Sequence, residues 1–367
     1  MLMRFYMNDE QYFYDIYKKA AYEIVDEVKK YQEHMIPTFP SHDSLRQETV
    51  RFVVDGGKRF RPTLSYLVAK HYGYEEIYPH IALETFHKYL LTHDDIIDRD
   101  RVRYSMPTVH AKLEEILDGE MASVGDKNID ETKKIHFGNS LGIIAGDLME
   151  AVTYKIIFSS NLSSETKVEL GQLVVKAVEE VVWGWYDQFL MDYLPLSSDA
   201  LSYERIEKSI IWVTGKYTMS FPFRYGFAIG GVGMPDGMEH LADDLGVLFQ
   251  TGDDLIGIFG DPEATGKSNY GDIVQGKKTI PLYLTYQSAN AEDKLMLEYL
   301  IGKPDLTAKE AEVVREIVKR SGGFEKTKRL MCEYRDACLE QIDKIAIPSE
   351  LRKFLRGFAI YLEKRNF

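Results

Sequence analysis

Asp94, Asp95 and Asp98 follow an apolar stretch, His80 to Leu91, and Asp253 and Asp254 follow another, Leu245 to Gln250. Asp94 and Asp98 are four residues apart, so on a helix they share one face and repel there by roughly a few tenths of a kcal/mol. Carboxylates drawn into an apolar setting need cations, or they take up protons. A hard divalent cation meets that need with oxygen ligands, and Mg²⁺ commonly sits between a few carboxylates and a substrate phosphate. Either segment alone reads equally well as a solvated acidic helix end. The two together, with the basic segments below, point to a metal site.

The basic segments supply the matching chemistry for an anion. Asp55-Gly56-Gly57-Lys58-Arg59-Phe60-Arg61-Pro62 joins two glycines to three cations. The glycines let backbone approach an anion closely, and arginine offers a planar fork that suits phosphate oxygens. Arg99, Arg101 and Arg103 come directly after the first aspartates. Thr265-Gly266-Lys267, Asp272 and Gly276-Lys277-Lys278-Thr279 repeat the mixture of acid, base and glycine after Asp253 and Asp254. The implied design is two acidic helix ends that face each other across Mg²⁺, with lysines and arginines at the rim. Above Asp94, Leu90 shares its helix face, with Tyr89 about 7.5 Å and Phe86 about 12 Å up the axis. Such aromatics are plain core unless a cavity runs along the helix, in which case they form its floor.

These residues must be positioned by helices. Apolar residues recur at three- and four-residue spacing over Tyr12–Tyr31 and over 80–98, 140–158, 165–193, 202–218, 237–258, 307–320, 324–343 and 349–364. Ser163-Ser164-Glu165 and the capping box Thr307-Ala308-Lys309-Glu310 read as helix starts. No segment shows strand alternation or an Asn-Gly or Asp-Gly hairpin signal. Residues 118–131 read as a polar surface loop, and 260–278 as a glycine-rich loop able to close over a ligand. The expectation is one all-α domain over residues 1–367, with the motifs between about 45 and 300 and a helical C-terminal portion from about 301.

The bulk numbers bound the partners. The 367 residues are 45% hydrophobic, enough for a large core. A net charge of −13 argues against nucleic acid and against an anionic membrane as partners, so cations for an anionic ligand must be concentrated locally. Two cysteines, Cys332 and Cys338, suit neither a disulfide framework nor a zinc site, and a reducing cytoplasm is the expected compartment. The N-terminus lacks the apolar region of a signal peptide. No apolar run approaches the roughly eighteen residues of a membrane span.

The chain resembles the trans-prenyl diphosphate synthases, the short-chain isoprenyl elongation enzymes of the polyprenyl synthetase family. The resemblance runs from about Gly56 to Leu282 and rests on spaced motifs in order: Gly57 to Pro62; His87 with His93 to Asp98; Pro107-Thr108-Val109-His110; Gly146-Asp147; and Phe249 to Asp254 running on to Gly260–Lys267. It implies the isoprenoid synthase helical bundle around a deep central cavity, usually homodimeric. It implies three Mg²⁺ ions held by Asp94, Asp98 and Asp253, with Asp95 and Asp254 as further ligands or their supports. Arg103, Gln250 and Lys267 would grip an allylic diphosphate, and Gly57, Lys58, Arg61 and His87 isopentenyl diphosphate, with Lys277 and Lys216 as further substrate-binding residues. The implied reaction is a Mg²⁺-dependent head-to-tail condensation of isopentenyl diphosphate with an allylic diphosphate.

Three positions depart from the family pattern. Tyr104 stands where a second arginine is common, Gly257 where a third aspartate is common, and Val213 where a lysine is common, with Lys216 one turn on. Tyr89 is aromatic and Leu90 is not, with no insertion inside the first aspartate motif. In relatives that combination looks like the archaeal-type geranylgeranyl diphosphate synthases, with Tyr89, Leu90 and Phe86 setting product length. A farnesyl diphosphate synthase is an alternative, as is a non-catalytic partner subunit of a heteromeric synthase, which Tyr104 and Val213 motivate. A terpene cyclase on the same fold has no use for the Gly57–Arg61 cluster.

Overall fold

In the computed structural model, which describes residues 2–37, 43–123, 130–260 and 270–365, the chain is almost entirely helical. It forms two compact units. One comprises Tyr17–Gly171 and Ala228–Gly231, and the other Met1–Ile16, Gln172–Phe227 and Val232–Phe367.

The first unit holds most of helix α1 (Leu2–Met35), then α2 (Ser44–Val54), α3 (Phe60–His71), a 3₁₀ turn (Tyr78–Ile81), α4 (Ala82–Ile97), α5 (Val109–Ser123) and α6 (Glu131–Ser159). Its interior is apolar: Ile24, Val28, Leu64, Val68, Ile81, Phe86, Leu113, Met149 and Ile156 are all buried. A stripe of glycines on α6 sets how closely its neighbours approach. A Cβ at Gly138 would strike Glu114 and the His110 carbonyl, one at Gly142 would strike Ile96 and His110, and one at Gly146 would strike His93. Spaced four apart, these positions share one helix face, so α4 and α5 can both press onto α6.

The second unit holds most of α7 (Ser164–Asp192), then α8 (Tyr203–Ile210), a π-helical stretch (Ile211–Ser220), α9 (Phe221–Ile229) and α10 (Met238–Phe259). After these come α11 (Gly271–Gln275), α12 (Ile280–Ser288), α13 (Ala291–Leu300), α14 (Ala308–Arg320), α15 (Gly323–Lys344) and α16 (Ser349–Lys364). Its core includes Ile206, Val247, Ile258, Ile280, Leu297, Val314 and Ile317. The start of α1 packs here too, with the Phe13 ring 5.3 Å from Phe354 and 5.4 Å from Phe358. The capping box at Thr307 and Glu310 forms as the sequence predicts.

Several sequence expectations are corrected. Of the expected loop over 118–131, residues 118–123 continue α5, Asp130 caps α6, and 124–129 lie outside the described residues. Helices α2, α3, α12 and α13 form outside the expected segments, and α12 and α13 start where the Thr279 and Asn290 side chains accept from the Leu282 and Asp293 amides. A hairpin exists where none is signalled: Val102–Arg103 pairs antiparallel with Met106–Pro107. Its turn residues Tyr104 and Ser105 take φ 55° and 61°, the left-handed pair of a tight hairpin turn that Asn-Gly normally fills. Finally, α10 runs to Phe259 as the helical period over 237–258 predicts, so Asp253 and Asp254 lie inside it and are not the helix end that their place after Leu245–Gln250 suggests. Leu255 and Ile258 continue its buried face.

Candidate active site

In the first unit the aspartates sit on the last turn of α4. The helix stops because Arg99 takes φ 58°, which lets the Asp100 amide donate to the Asp95 carbonyl at 2.9 Å and the Arg99 amide to Ile96 at 3.3 Å. Asp94, Asp95 and Asp98 are thereby gathered where the helix already ends in unsatisfied carbonyls, an unfavourable place for anions. Arg103 answers part of that charge. Its Nε donates to Asp95 Oδ1 at 2.5 Å and its Nη2 to Asp94 Oδ2 at 3.0 Å. Burial disfavours the Arg103 charge, but Asp95 and Asp94 outweigh that and hold it protonated. Arg101 is engaged elsewhere, forked onto Glu114 at 2.9 and 2.6 Å.

The Gly56–Arg61 segment links α2 to α3. Gly56 and Gly57 adopt φ 70° and 83°, a conformation that favours glycine, and Gly56, Gly57 and Lys58 are exposed. Arg59 does not join them. It is buried, pairs with Glu84, and donates to the Val53 and Val54 carbonyls, so it fastens the segment to α4. His87 lies among cations: burial first, then Arg61, Lys88 and Arg103, hold its imidazole well below the usual value and thus neutral. Phe86, Tyr89 and Leu90 are all buried, with the Tyr89 ring 5.8 Å from Phe86 and 5.0 Å from His93.

In the second unit the residues converge on α10. Gln250 donates to Asp254 Oδ1 at 2.8 Å and accepts from the Thr214 hydroxyl at 2.7 Å. Burial first, then the charges of Asp272 and Asp253, push Asp254 up to about 8 against the Gln250 bond. The room left by Gly257 is taken by Asp272, whose carboxylate a Cβ at 257 would strike. Lys277 lies 3.5 Å from Asp272. Arg365 reaches Asp253 at 2.7 Å and stacks 4.6 Å over the Phe249 ring.

Lys216 does not join this group. Its ammonium is held by Glu239 and Asp243, both at 2.7 Å, in a network with Arg224 and Ser220. The π-helical turns bring Thr214, and not Lys216, to Gln250. Thr214 and Arg365 escaped notice in the sequence as site residues, and Asp272, singled out there among the acids, bases and glycines after Asp254, was not placed beside Gly257. The glycine at 257 was the one available signal, since it leaves space for a neighbouring carboxylate. Lys267 and Asp261 lie outside the described residues.

Each unit carries carboxylates of the kind that suit a hard divalent cation. Asp94 and Asp253 keep partly exposed carboxylates, 30% and 35%, each compensated by one arginine, and Asp254 faces like charge. Among the described residues no three acidic or imidazole groups converge to hold a metal unaided.

Comparison with known proteins gives the family. The family description Polyprenyl synthetase matches residues 43–320. The geranylgeranyl diphosphate synthase of Sulfolobus acidocaldarius is 24% identical over 96% of this chain and 99% of its own. The geranylfarnesyl diphosphate synthase of Aeropyrum pernix is 25% identical over 91% and 98%. Among solved structures, a geranylgeranyl pyrophosphate synthase from Corynebacterium glutamicum, complexed with isoprenyl diphosphate and magnesium, is 27% identical, with TM-score 0.79 over 97% of this chain and 99% of that one. The chain belongs to the polyprenyl synthetase family. It is a prenyltransferase of the all-helical isoprenoid synthase fold.

Proposed function

We propose that the protein condenses isopentenyl diphosphate head-to-tail with an allylic diphosphate and releases a twenty-carbon product, geranylgeranyl diphosphate. The observation that carries the reading is the pairing of partly exposed aspartates with arginines in both units: Asp94 with Arg103, and Asp253 with Arg365. Asp94, Asp98 and Asp253 are assigned as Mg²⁺ ligands, with Asp95 and Asp254 beside them. Bound Mg²⁺ supplies charge neutralisation for the leaving diphosphate. Arg103 and Gln250 hold the allylic diphosphate, and the Gly57, Lys58 and Arg61 segment holds isopentenyl diphosphate. Neutral His87 can donate a hydrogen bond there without adding charge. Positioning places the homoallylic double bond against the allylic carbon, and one carbon–carbon bond forms as the C–O bond breaks. The released diphosphate accepts the final proton, so no protein base is required. Lys277 is kept as a rim cation. Lys216 is left out, because its ammonium is already shared by two carboxylates.

The protein is proposed to act as a homodimer in a reducing cytoplasm. Val175, Val182, Tyr186 and Leu190 form an exposed apolar stripe on one face of α7, with Trp183 beside it. Both cysteines are free, and no helix among the described residues is long and apolar enough to cross a membrane.

The test is a product assay. Purified protein with Mg²⁺ and labelled isopentenyl diphosphate is offered dimethylallyl, geranyl and farnesyl diphosphates in turn. A twenty-carbon product from more than one primer is expected. Protein that binds metal and diphosphate yet incorporates no label with any primer overturns the reading in favour of a non-catalytic subunit.

A further inference from the structure

A lysine is the least expected side chain in the interior of the first unit. Lys88, on α4, is completely buried, and moving an ammonium out of water is costly unless partners compensate. Four partners surround it. Its Nζ donates to the Asp55 carbonyl at 2.9 Å and lies 4.0 Å from Glu84. It also sits between two aromatic faces, 4.6 Å from the Phe52 centroid and 4.8 Å from the Tyr104 centroid. Cation–π contacts of this kind strengthen when desolvated.

These contacts converge on one peptide. A trans peptide points its C=O and N–H in opposite directions. With the Asp55 carbonyl turned inward onto Lys88, the Gly56 N–H is turned outward, toward the exposed side of the segment. The two carbonyls before it are fixed as well, Val53 and Val54 by Arg59, so the whole C-terminal end of α2 is tied down by two buried cations. Tyr104 closes the segment from the side. A Cβ at Gly56 would collide with its ring, and one at Gly57 would stand 3.3 Å from its hydroxyl. Tyr104 reaches this place because it takes the left-handed conformation at the tip of the hairpin.

The local charge is out of balance. Lys58, Arg59, Arg61 and Lys88 stand in and behind the segment against the carboxylates of Asp55 and Glu84. Glu84 is shared by Arg59 and Lys88, and its Oε2 is buried without a hydrogen-bond partner. Burial pushes the Lys88 ammonium down to about 7 against the pull of Glu84, so the segment by itself holds that charge only in part, and an anionic ligand on the exposed side of the outward-facing amide favours the protonated form.

We propose that Lys88, clamped by Tyr104, is the positioning residue of the isopentenyl-diphosphate segment: it orients the Gly56 amide and lends a buried positive charge to the diphosphate. The proposal rests on the substrate assignment made above. Lys88 does not touch substrate. It acts through Asp55, Gly56 and Gly57.

Two variants and two readouts test it. Lys88→Met removes the charge and the Asp55 bond with little change in volume. Tyr104→Leu removes the ring and leaves Lys88 in place. Binding of isopentenyl diphosphate is measured by calorimetry without allylic substrate, so that no turnover occurs, and steady-state constants are measured for both substrates. For each variant the dissociation constant and the KM for isopentenyl diphosphate should rise about tenfold, with kcat and the allylic KM within about threefold of wild type. A merely structural role would move the allylic KM and the melting temperature together with them. Should Lys88→Met not fold, Tyr104→Leu decides alone. Isopentenyl-diphosphate binding within twofold of wild type in a folded variant overturns the proposal, while the wild-type condensation reading stands. Wild type that fails to bind isopentenyl diphosphate overturns both.

Discussion

At the scale of single residues, arginines pair with carboxylates to which the proposed site assigns Mg²⁺. Arg365 pairs with Asp253 and stacks on Phe249, so a cation approaching Asp253 must compete with it. The pair is only partly exposed, and such pairs are worth up to ~1 kcal/mol, so Arg365→Ala should tighten Mg²⁺ binding by about two- to fivefold. Calorimetric Mg²⁺ titration of both proteins without substrate reads this directly, and equal affinities would remove Arg365 from the competition. Tyr89 poses a different question at the same scale. It is buried one turn above Asp94, with Phe86 beyond it. If these rings end the space for a growing chain, Tyr89→Ala should lengthen the product beyond the proposed twenty carbons. An unchanged product length would take Tyr89 out of that role.

At the scale of elements, close approach and burial decide what the sequence does not display. A Cβ at Gly246 on α10 would overlap the backbone of Gly215 in the π-helical stretch. Backbone cannot rotate aside as a side chain can, so Gly246→Val should cost about 3 kcal/mol or more and separate Thr214 from Gln250. Urea midpoints and diphosphate affinity should fall together, and a variant as stable as wild type would mean the crossing can spread. The 3₁₀ turn carries a pH-dependent element. Burial holds His80 down to about 3, with its Nδ1 2.8 Å from Ser65 Oγ. Below the ordinary histidine value of about 6.5 the unfolded chain gains a proton that the folded chain refuses, so stability falls as pH drops toward 3 and is unaffected above that range. The loss from His80 alone is about 2 kcal/mol between pH 7 and 5. His80→Gln should show a smaller urea-midpoint drop between pH 7 and 5, and identical drops would exclude His80 as the source. Long helices such as α7, α10 and α15 were legible because their apolar residues keep helical period over many turns. The aspartate motifs were legible because their spacing repeats in order. What hid from the sequence depended on contacts between distant segments. Tyr104 in a left-handed turn breaks the usual residue preference and is held by Gly56, Gly57 and Lys88. Lys216 is claimed by Glu239 and Asp243, and Asp272 fills the room beside Gly257.

At the scale of the whole molecule, charge and apolar surface act against each other. Each chain carries −13, so two copies repel at long range, and the repulsion is screened over about 8 Å at physiological salt. The stripe on α7 is apolar: Val175 and Val182 are both 49% exposed and Tyr186 59%, seven and then four residues apart. Attraction through such a face does not weaken with salt, while the opposing net charge does. If two copies join through α7, the dimer dissociation constant should therefore fall as sodium chloride is raised from 20 to 300 mM, a direction opposite to that of an interface held by ion pairs (concentrations about an order of magnitude apart suffice to change the screening length severalfold). Placing a carboxylate in the stripe, as in Val182→Asp or Tyr186→Asp, adds charge where the partner's α7 would bury it. That should yield monomers at micromolar concentration by analytical ultracentrifugation, with helicity unchanged, because both side chains are exposed in the single chain and leave its core intact. A dimer that survives both substitutions, or that weakens with salt, would place the self-association on another surface and leave the α7 stripe to a different partner.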